Sequence, residues 1–263
     1  EWPGAEELGV ENFSSLMDIP DPVDYVVISV PRQAVPIVVA DCVKKEVPVV
    51  HIFTAGFGES GEDEGIRLEN SFVETAQKSG LVVIGPNCMG LFNPALKIKQ
   101  SAGQTHEEVG YLGYISHSGS QAIGLVSEAY AHGIGISKCI SMGNGVVTDT
   151  PDLIDYLAGD DDTKVIGMYL EGLRNPHRFF QSLREACKRK PVVIWKVGQT
   201  EDAARAVEAH TGSLNLRQEL WDSLVSKCGA LQVNSVEEML DTATAIRYVG
   251  DIGLRAALIA VSG

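Results

Sequence analysis

The sequence predicts an α/β protein built on parallel β-sheets. Short apolar runs rich in β-branched residues recur along the chain, and stretches of helical character separate them. The apolar runs do not alternate with polar residues, which is typical of strands buried on both faces of a parallel sheet. Strands that alternate with helices in this way form βαβ units with right-handed crossovers.

The predicted strands fall into two groups along the chain. The first group comprises Tyr25–Val30, Val47–Phe53 and Leu81–Ile84. The second group comprises Tyr111–Ser116, Ser137–Met142, Lys164–Leu170, Pro191–Val197 and Ala230–Val233. Helices are predicted between the strands, the clearest at Gln33–Lys45, Ile66–Ser79, Gly119–His132, Pro176–Arg189 and Val236–Val249.

The length of 263 residues predicts about two domains, since a domain usually has roughly 100–200 residues. The stretch near 95–110 has mixed polarity and no period, and we therefore predict one domain over 1–104 and a second over 105–250. Residues 251–263 are predicted to start a further α/β domain, because AALIAVSG resembles a strand that stops at its glycine turn. Both ends are abrupt, and we expect a fragment of a longer protein.

Composition restricts the partners that the chain can bind. The formal net charge of −14 argues against nucleic acid and anionic membranes, because both need a basic protein face. No apolar run approaches the roughly 18 residues that span a bilayer, and the acidic start does not resemble a signal peptide. The five cysteines are widely spaced without a CxxC pair, which favours a reducing cytoplasm over a disulfide scaffold or a zinc site.

Ligands of open α/β sheets bind beyond the carboxyl ends of the strands, so the turns there are candidate sites. Three such turns of the first domain lie at 29–35, 53–61 and 84–90, and their small residues let a ligand approach the backbone. GFGESG partly matches the dinucleotide pattern GxGxxG, but it lacks the third glycine. Each turn alone is compatible with an ordinary tight connection, whereas three on one sheet edge favour a ligand crevice.

Three features of the second domain suggest chemistry on a phosphate. Ser118, Gly119 and Ser120 open a helix after a strand, where free N–H groups and the positive helix end attract an anion. Glu171 follows an apolar strand and can orient an imidazole by accepting its N–H. A glycine-containing loop presents His210, which suits a phosphoryl nucleophile. Simple helix capping, a solvated glutamate and a structural histidine remain alternatives.

The sequence resembles the alpha part of ADP-forming acyl-CoA synthetases, which are relatives of succinyl-CoA synthetase. The resemblance runs colinearly from about residue 18 to 214, and its segments include TAGFGESG, GLVVIGPNCMGLFNP, ISHSGSQ, KPVVIWKVGQT and EAHTGSL. It implies a Rossmann-like CoA-binding domain followed by a flavodoxin-like parallel α/β ligase domain. The order of the segments is specific for the superfamily and less specific for the acyl substrate.

The resemblance also implies roles for individual residues. CoA contacts are expected at the turns Val30-Pro31-Arg32, Thr54-Ala55-Gly56 and Asn87-Cys88. His210 matches the phosphorylated histidine, Glu171 matches the glutamate that holds it, and Ser118 and Gly119 match the helix start that receives the phosphate. ADP or ATP with Mg²⁺ is expected on an ATP-grasp (beta-type) subunit or domain that this chain lacks, and the assembly is expected to be an oligomer. No metal site is predicted in this chain.

Some positions depart from the family pattern. His117 stands where relatives often have glutamine or arginine, and NLRQ follows HTGSL where relatives continue differently. The first strand and a Pro-Gly-Lys-type loop of the family do not occur before Tyr25. Two other functions therefore stay open. One is a regulatory or acyltransferase-fused CoA-sensing protein without synthetase chemistry, and the other is a plain dinucleotide-dependent dehydrogenase.

Overall fold

The structure is a computed structural model that describes residues 11–104, 108–198 and 218–249, together with Gly9 and Ala257. The described residues form two compact units. The first consists of the described part of Glu1–Gly90 and the segment Met142–Asp149, and the second consists of the described parts of Leu91–Ser141 and Thr150–Gly263. The predicted domain limits after residues 104 and 250 stay predictions. The predicted further domain at 251–263 lies outside the described residues, except for Ala257.

The first unit contains a three-stranded parallel sheet. Its strands follow one another in space as they do in the chain, and they are β1 (Tyr25–Ile28), β2 (Val49–Ile52) and β3 (Val82–Ile84). The crossovers contain α1 (Val35–Lys44) and α2 (Asp63–Ser79), as the sequence predicted. The core of this unit is fully buried and apolar, and it includes Val39, Val50, Ile52, Phe57 and Phe72.

The first unit also contains three short 3-10 helices at Leu16–Asp18, Arg32–Ala34 and Gly58–Ser60. Two of them lie directly in the turns that follow β1 and β2. The connection after β1 covers residues 29–34 and that after β2 covers residues 53–62, and each passes through its 3-10 helix before the next α-helix begins. The residues predicted to contact a ligand are therefore held close to the carboxyl ends of the strands.

The second unit contains a six-stranded sheet in the order β4-β6-β5-β7-β8-β9. The strands are β4 (Gly90–Phe92), β5 (Leu112–Ser116), β6 (Ile136–Ser141), β7 (Val165–Leu170), β8 (Val192–Lys196) and β9 (Leu231–Val233). The pairs β5–β6, β5–β7, β7–β8 and β8–β9 are parallel. From β6 to β9 this is the flavodoxin order 2-1-3-4-5, which reverses direction between β5 and β7. The predicted flavodoxin-like fold is confirmed.

Helices of the second unit follow its strands. They are α3 (Gly119–Ala131), α4 (Thr150–Gly159), α5 (Pro176–Cys187), α6 (Gln218–Cys228) and α7 (Val236–Val249). The core is apolar and buried, with Trp221 of α6 stacked on Phe179 of α5 at a ring-centroid distance of 5.8 Å. Helices were predicted between these strands, but α4 and α6 were not given bounds, and β4 was not predicted. β4 has only three residues, too few to show a period.

Two further observations concern the described residues. None of the described helices combines the length and the apolar character that crossing a bilayer requires. All five cysteines carry free thiols, and four of them are buried.

Candidate functional site

Hydrogen bonds join the three predicted ligand turns of the first unit at one edge of its sheet. The hydroxyl of Thr54 donates to the carbonyl of Val30 at 2.7 Å and accepts the N–H of Val30 at 3.2 Å. The N–H of Asn87 donates to the carbonyl of Thr54 at 3.1 Å. The structure thus brings together the turns after β1, β2 and β3, and Pro31 and Ala55 are exposed on this edge.

Arg32 supplies a positive charge to this edge. Its guanidinium donates to the carbonyl of Gly56 at 2.9 Å and forms ion pairs with Glu62 at 2.6 Å and Glu64 at 3.0 Å. Gly56 has a φ of +96°, and a Cβ there would lie 3.2 Å from Cδ of Arg32. The left-handed φ favours glycine at position 56, and a Cβ there would also crowd the arginine side chain.

Cys88 lies in the turn after β3, and its thiol is buried. The side chain is buried, and its Sγ lies 3.6 Å from the carbonyl oxygen of Ile52. Desolvation raises the pKa of the Cys88 thiol to about 12, so the thiol stays protonated at neutral pH. Since a thiolate is the reactive form of cysteine, a catalytic role for Cys88 is disfavoured.

The turn after β2 accommodates an anionic group on backbone N–H donors. The carboxylate of Glu59 accepts the N–H of Gly56 at 2.6 Å and the N–H of Phe57 at 3.2 Å. Paired N–H groups of this kind form an anion-binding concavity. The turn is therefore chemically suited to negatively charged groups although the chain as a whole is acidic.

Asn144 is a residue of this edge that the sequence analysis missed. It belongs to the segment Met142–Asp149, which forms part of the first unit although it follows β6 in the chain. Its side-chain amide donates to Glu59 at 2.5 Å, and its backbone N–H donates to the carbonyl of Pro86 at 3.0 Å. The only signal in the sequence was the glycine-flanked asparagine after a predicted strand.

The second unit places a helix start at its topological switch point. Ser116 ends β5, and its hydroxyl donates to the carbonyl of Ser118 at 2.7 Å. Ser118 caps α3, because its hydroxyl accepts the N–H of Gln121 at 3.5 Å. Gly119 and Ser120 are at least partly exposed. The first N–H groups of such a helix have no acceptor within the helix, and together with the helix dipole they attract an anion.

Glu171 directly follows β7, the strand next to this helix start. Ser116 pairs with Tyr169 in the parallel ladder between β5 and β7, and the N–H of His117 donates to the carbonyl of Tyr169 at 3.2 Å. Glu171, two residues further along, is 9% exposed. Burial, and then the charge of Glu171, raise the pKa of Tyr169 to about 12. The structure therefore brings together Glu171 and the predicted phosphate turn at Ser118.

His210 lies outside the described residues. The described chain before it ends at Gly198, directly after β8. Lys196, the last residue of β8, pairs with Leu170 of β7, so the chain leaves the sheet at the same edge as Glu171. The Nζ atom of Lys196 lies 5.6 Å from the ring centroid of Trp221, which directs this cation toward α6.

No group of three or more His, Cys, Asp or Glu side chains that could hold a metal ion occurs in the parts of the chain that the structure describes. The two candidate sites offer backbone N–H groups, hydroxyls, a side-chain amide, an arginine and carboxylates.

Comparisons with known proteins agree with this geometry. Residues 109–246 match the family model of the succinyl-CoA ligase like flavodoxin domain, and residues 3–94 match that of a CoA binding domain. Acetate–CoA ligase [ADP-forming] II subunit alpha of Pyrococcus furiosus is 37% identical over 98% of this chain and 56% of its own length. The 4-hydroxybutyrate–CoA ligase [ADP-forming] of Nitrosopumilus maritimus is 36% identical over 89% of this chain and 34% of its own length.

A solved structure is similar as well. The dinucleotide forming acetyl-coenzyme A synthetase 1 of Ca. Korarchaeum cryptofilum, in complex with phosphate and ADP, superposes with a TM-score of 0.83 at 34% identity. The similarity covers 91% of this chain and 51% of that one, so the chain spans about half the length of this relative. The matched domains, their order and the site geometry lead to one conclusion: the chain belongs to the succinyl-CoA ligase-like family that includes the ADP-forming acyl-CoA ligases.

Proposed function

We propose that this chain is the CoA-binding and phosphohistidine part of an NDP-forming acyl-CoA synthetase, an acid–thiol ligase. The complete enzyme would interconvert acyl-CoA, ADP and phosphate with carboxylic acid, CoA and ATP. The observation that carries the proposal is the position of Glu171 beside the Ser118 helix start at the switch point of a flavodoxin-like sheet. A phosphoryl nucleophile at His210 needs such a carboxylate and such N–H donors.

The proposed chemistry has three reversible steps. Phosphate attacks the thioester carbonyl of acyl-CoA, which gives an acyl phosphate and releases CoA as the thiol. The imidazole of His210 then takes the phosphoryl group, and the carboxylate leaves. ADP finally takes the phosphoryl group from His210 to form ATP. Glu171 would accept the imidazole N–H and stabilise its positive charge, while the N–H groups near Ser118, Gly119 and Ser120 would hold the phosphate oxygens.

The first unit is proposed to bind CoA and acyl-CoA. Its three turns are joined at one edge, and the residues expected to contact CoA are Val30, Pro31, Arg32, Thr54, Ala55, Gly56, Asn87 and Cys88. Backbone N–H donors at Gly56 and Phe57 already hold a carboxylate, which fits a ligand that carries negatively charged phosphates.

The nucleotide half of the reaction is proposed to lie on a partner. An ATP-grasp (beta-type) subunit or domain would hold ADP or ATP with Mg²⁺, and the assembly would be an oligomer in the cytoplasm. The P. furiosus relative is named as a subunit alpha, which supports a division of the activity between chains.

The proposal is tested by labelling the complete protein, with its nucleotide partner, using ATP that carries 32P in its γ-phosphate. We expect an acid-labile label on this chain and its loss in His210→Asn. His177→Asn is the matched control, since His177 lies on α5 and not at a strand end. A label that survives His210→Asn contradicts the assignment. An unlabelled wild-type protein that still binds CoA would favour the CoA-sensing alternative, and binding of NAD instead of CoA would favour the dehydrogenase.

Thr54→Val is expected to weaken CoA binding about fivefold to tenfold. Valine keeps the shape of threonine but removes the hydroxyl. That hydroxyl bonds to the backbone carbonyl and N–H of Val30, and it thereby joins the turns after β1 and β2. A fivefold to tenfold loss of CoA affinity corresponds to about 1 kcal/mol, which is of the order of the net contribution of a hydrogen bond. Titration calorimetry with CoA measures the effect.

The matched control for this change is Thr75→Val. Thr75 lies on α2 of the same unit, and its hydroxyl donates only to the helix carbonyl of Ser71 at 3.0 Å among the bonds that the structure describes. CoA affinity should stay within twofold of wild type in this variant. Equal affinities in the two variants would remove the turn after β2 from the CoA site.

A further inference from the structure

Both ring nitrogens of His117 are hydrogen-bonded to other segments of the second unit. Nδ1 lies 3.2 Å from the backbone nitrogen of Glu171, which donates its N–H to the ring. Nε2 lies 3.0 Å from the hydroxyl oxygen of Thr150, a buried residue at the start of α4. The half-buried imidazole thus connects the residues that follow β5 to those that follow β7 and to the start of α4.

These bonds determine which nitrogen carries the proton. A backbone N–H only donates, so Nδ1 of His117 must be unprotonated, and the neutral ring carries its hydrogen at Nε2 and donates to Thr150. A second proton on Nδ1 would face the N–H of Glu171. Desolvation, and then the charge of Arg174, lower the pKa of His117 to about 4, so the ring is neutral at neutral pH.

The backbone of His117 contributes to the same connection. Its N–H donates to the carbonyl of Tyr169 at 3.2 Å and continues the parallel ladder of β5 and β7 by one residue. Glu171 is therefore held relative to the phosphate turn by the main chain of His117 and by its ring. Because both ring nitrogens are engaged, the ring itself has no nitrogen left to bind phosphate.

We propose that His117 is a positioning residue, which fixes the peptide of Glu171 and through it the carboxylate beside the phosphate turn. The proposal rests on the proposed function of Glu171 and His210. A displacement of about 1 Å in a catalytic group can slow a reaction about 10²-fold. A buried peptide N–H that loses its acceptor also has a strong tendency to move toward another one.

The test compares His117→Leu, His117→Gln and Thr150→Val in the complete protein with its nucleotide partner. Leucine fills the space but accepts no hydrogen bond, whereas glutamine has an oxygen for the N–H of Glu171 and an amide for Thr150. We expect His117→Leu to slow phosphorylation of His210 by ATP by roughly 10–100-fold, and His117→Gln to recover most of the rate. The KM for phosphate in the ATP-forming direction should stay within about threefold in both variants.

Two results with His117→Leu would overturn the proposal. One is a folded His117→Leu variant that phosphorylates His210 at the wild-type rate. The other is a rise of the KM for phosphate with an unchanged kcat, which would make the ring a phosphate ligand. If His117→Leu does not fold, Thr150→Val takes its place. It removes the acceptor of the Nε2 proton and should slow phosphorylation to an intermediate extent, so a wild-type rate there would likewise contradict the proposal.

A second measurement does not depend on enzyme activity. In the histidine-15N-labelled wild-type protein, His117 should show an unprotonated Nδ1 and a protonated Nε2 from neutral pH down to about pH 5. Amide hydrogen exchange at Glu171 should be faster in His117→Leu than in His117→Gln. If wild-type protein is not phosphorylated at all, the proposed function fails, whereas these two signals still support or overturn the position of His117.

Discussion

Glu171→Gln is expected to slow phosphorylation of His210 by roughly 10²–10⁴-fold while the fold and CoA affinity stay unchanged. The substitution keeps the volume of the side chain but removes its negative charge. A carboxylate stabilises the imidazolium that develops as the histidine accepts a phosphoryl group, and an amide does so poorly. Rapid-quench labelling of the complete protein with γ-32P-ATP measures the rate, and CoA calorimetry checks the first unit.

Glu128→Gln is the matched control for this change. Glu128 lies on α3 of the same unit, its side chain is 59% exposed, and its carboxylate lies 3.9 Å from a ring nitrogen of His132. Exposed pairs of this kind contribute little, so the labelling rate should equal that of wild type. A Glu171→Gln variant that labels as fast as Glu128→Gln would mean that the carboxylate does not orient the nucleophile.

The strands and the residues at their carboxyl ends were predictable from the sequence, because a buried strand needs a continuous run of apolar residues. The apolar run Lys164–Leu170 predicts a strand that is buried on both faces, and β7 occupies Val165–Leu170 with every residue buried. Residues that directly follow such a run must lie at the carboxyl edge of the sheet. For this reason, the sequence alone identified Glu171 and the turn at 53–61 as candidates, whereas Thr54 itself was expected from the family resemblance.

The roles of Asn144 and His117 could not be predicted in the same way. Asn144 reaches the turn after β2 only because Met142–Asp149 packs into the first unit, and no local pattern encodes that placement. His117 follows β5, and the sequence marked it only as a departure from the family pattern. Its ring turns toward Glu171 and Thr150, which lie 54 and 33 positions away in the chain. Such long-range pairs depend on the sheet order, which the strand sequences do not contain.

The order of the strands also explains how two short turns can form the proposed phosphoryl-transfer site. In the 2-1-3-4-5 arrangement, the connections that leave β5 and β7 run to opposite sides, and a crevice opens between them. The Ser118 turn and Glu171 come from these two strands. A rigid parallel ladder therefore sets their separation, and under the proposed function His210 would approach a preformed pair of partners.

Gly143→Ala is expected to weaken CoA binding at least tenfold, because it displaces a whole segment from the candidate CoA edge. Gly143 has a φ of +54°, and a Cβ there would lie 2.2 Å from the carbonyl oxygen of Pro86 and 2.4 Å from that of Asn87. Both are backbone atoms of the turn after β3 and cannot rotate away, so the segment Met142–Asp149 has to move. Asn144 would then lose its bond to Glu59.

Gly133→Ala separates this clash from simple backbone strain. Gly133 has a φ of +72°, but a Cβ there would meet nothing within 4 Å. Alanine at 133 should therefore cost only about 1–2 kcal/mol of conformational strain and leave CoA affinity unchanged. CoA calorimetry and amide hydrogen exchange across Met142–Asp149 measure both variants. If Gly143→Ala binds CoA as tightly as Gly133→Ala, then the close approach of Met142–Asp149 to the turn after β3 does not matter for CoA binding. Only direct contacts of the three turns that follow β1, β2 and β3 would then explain the recognition of CoA.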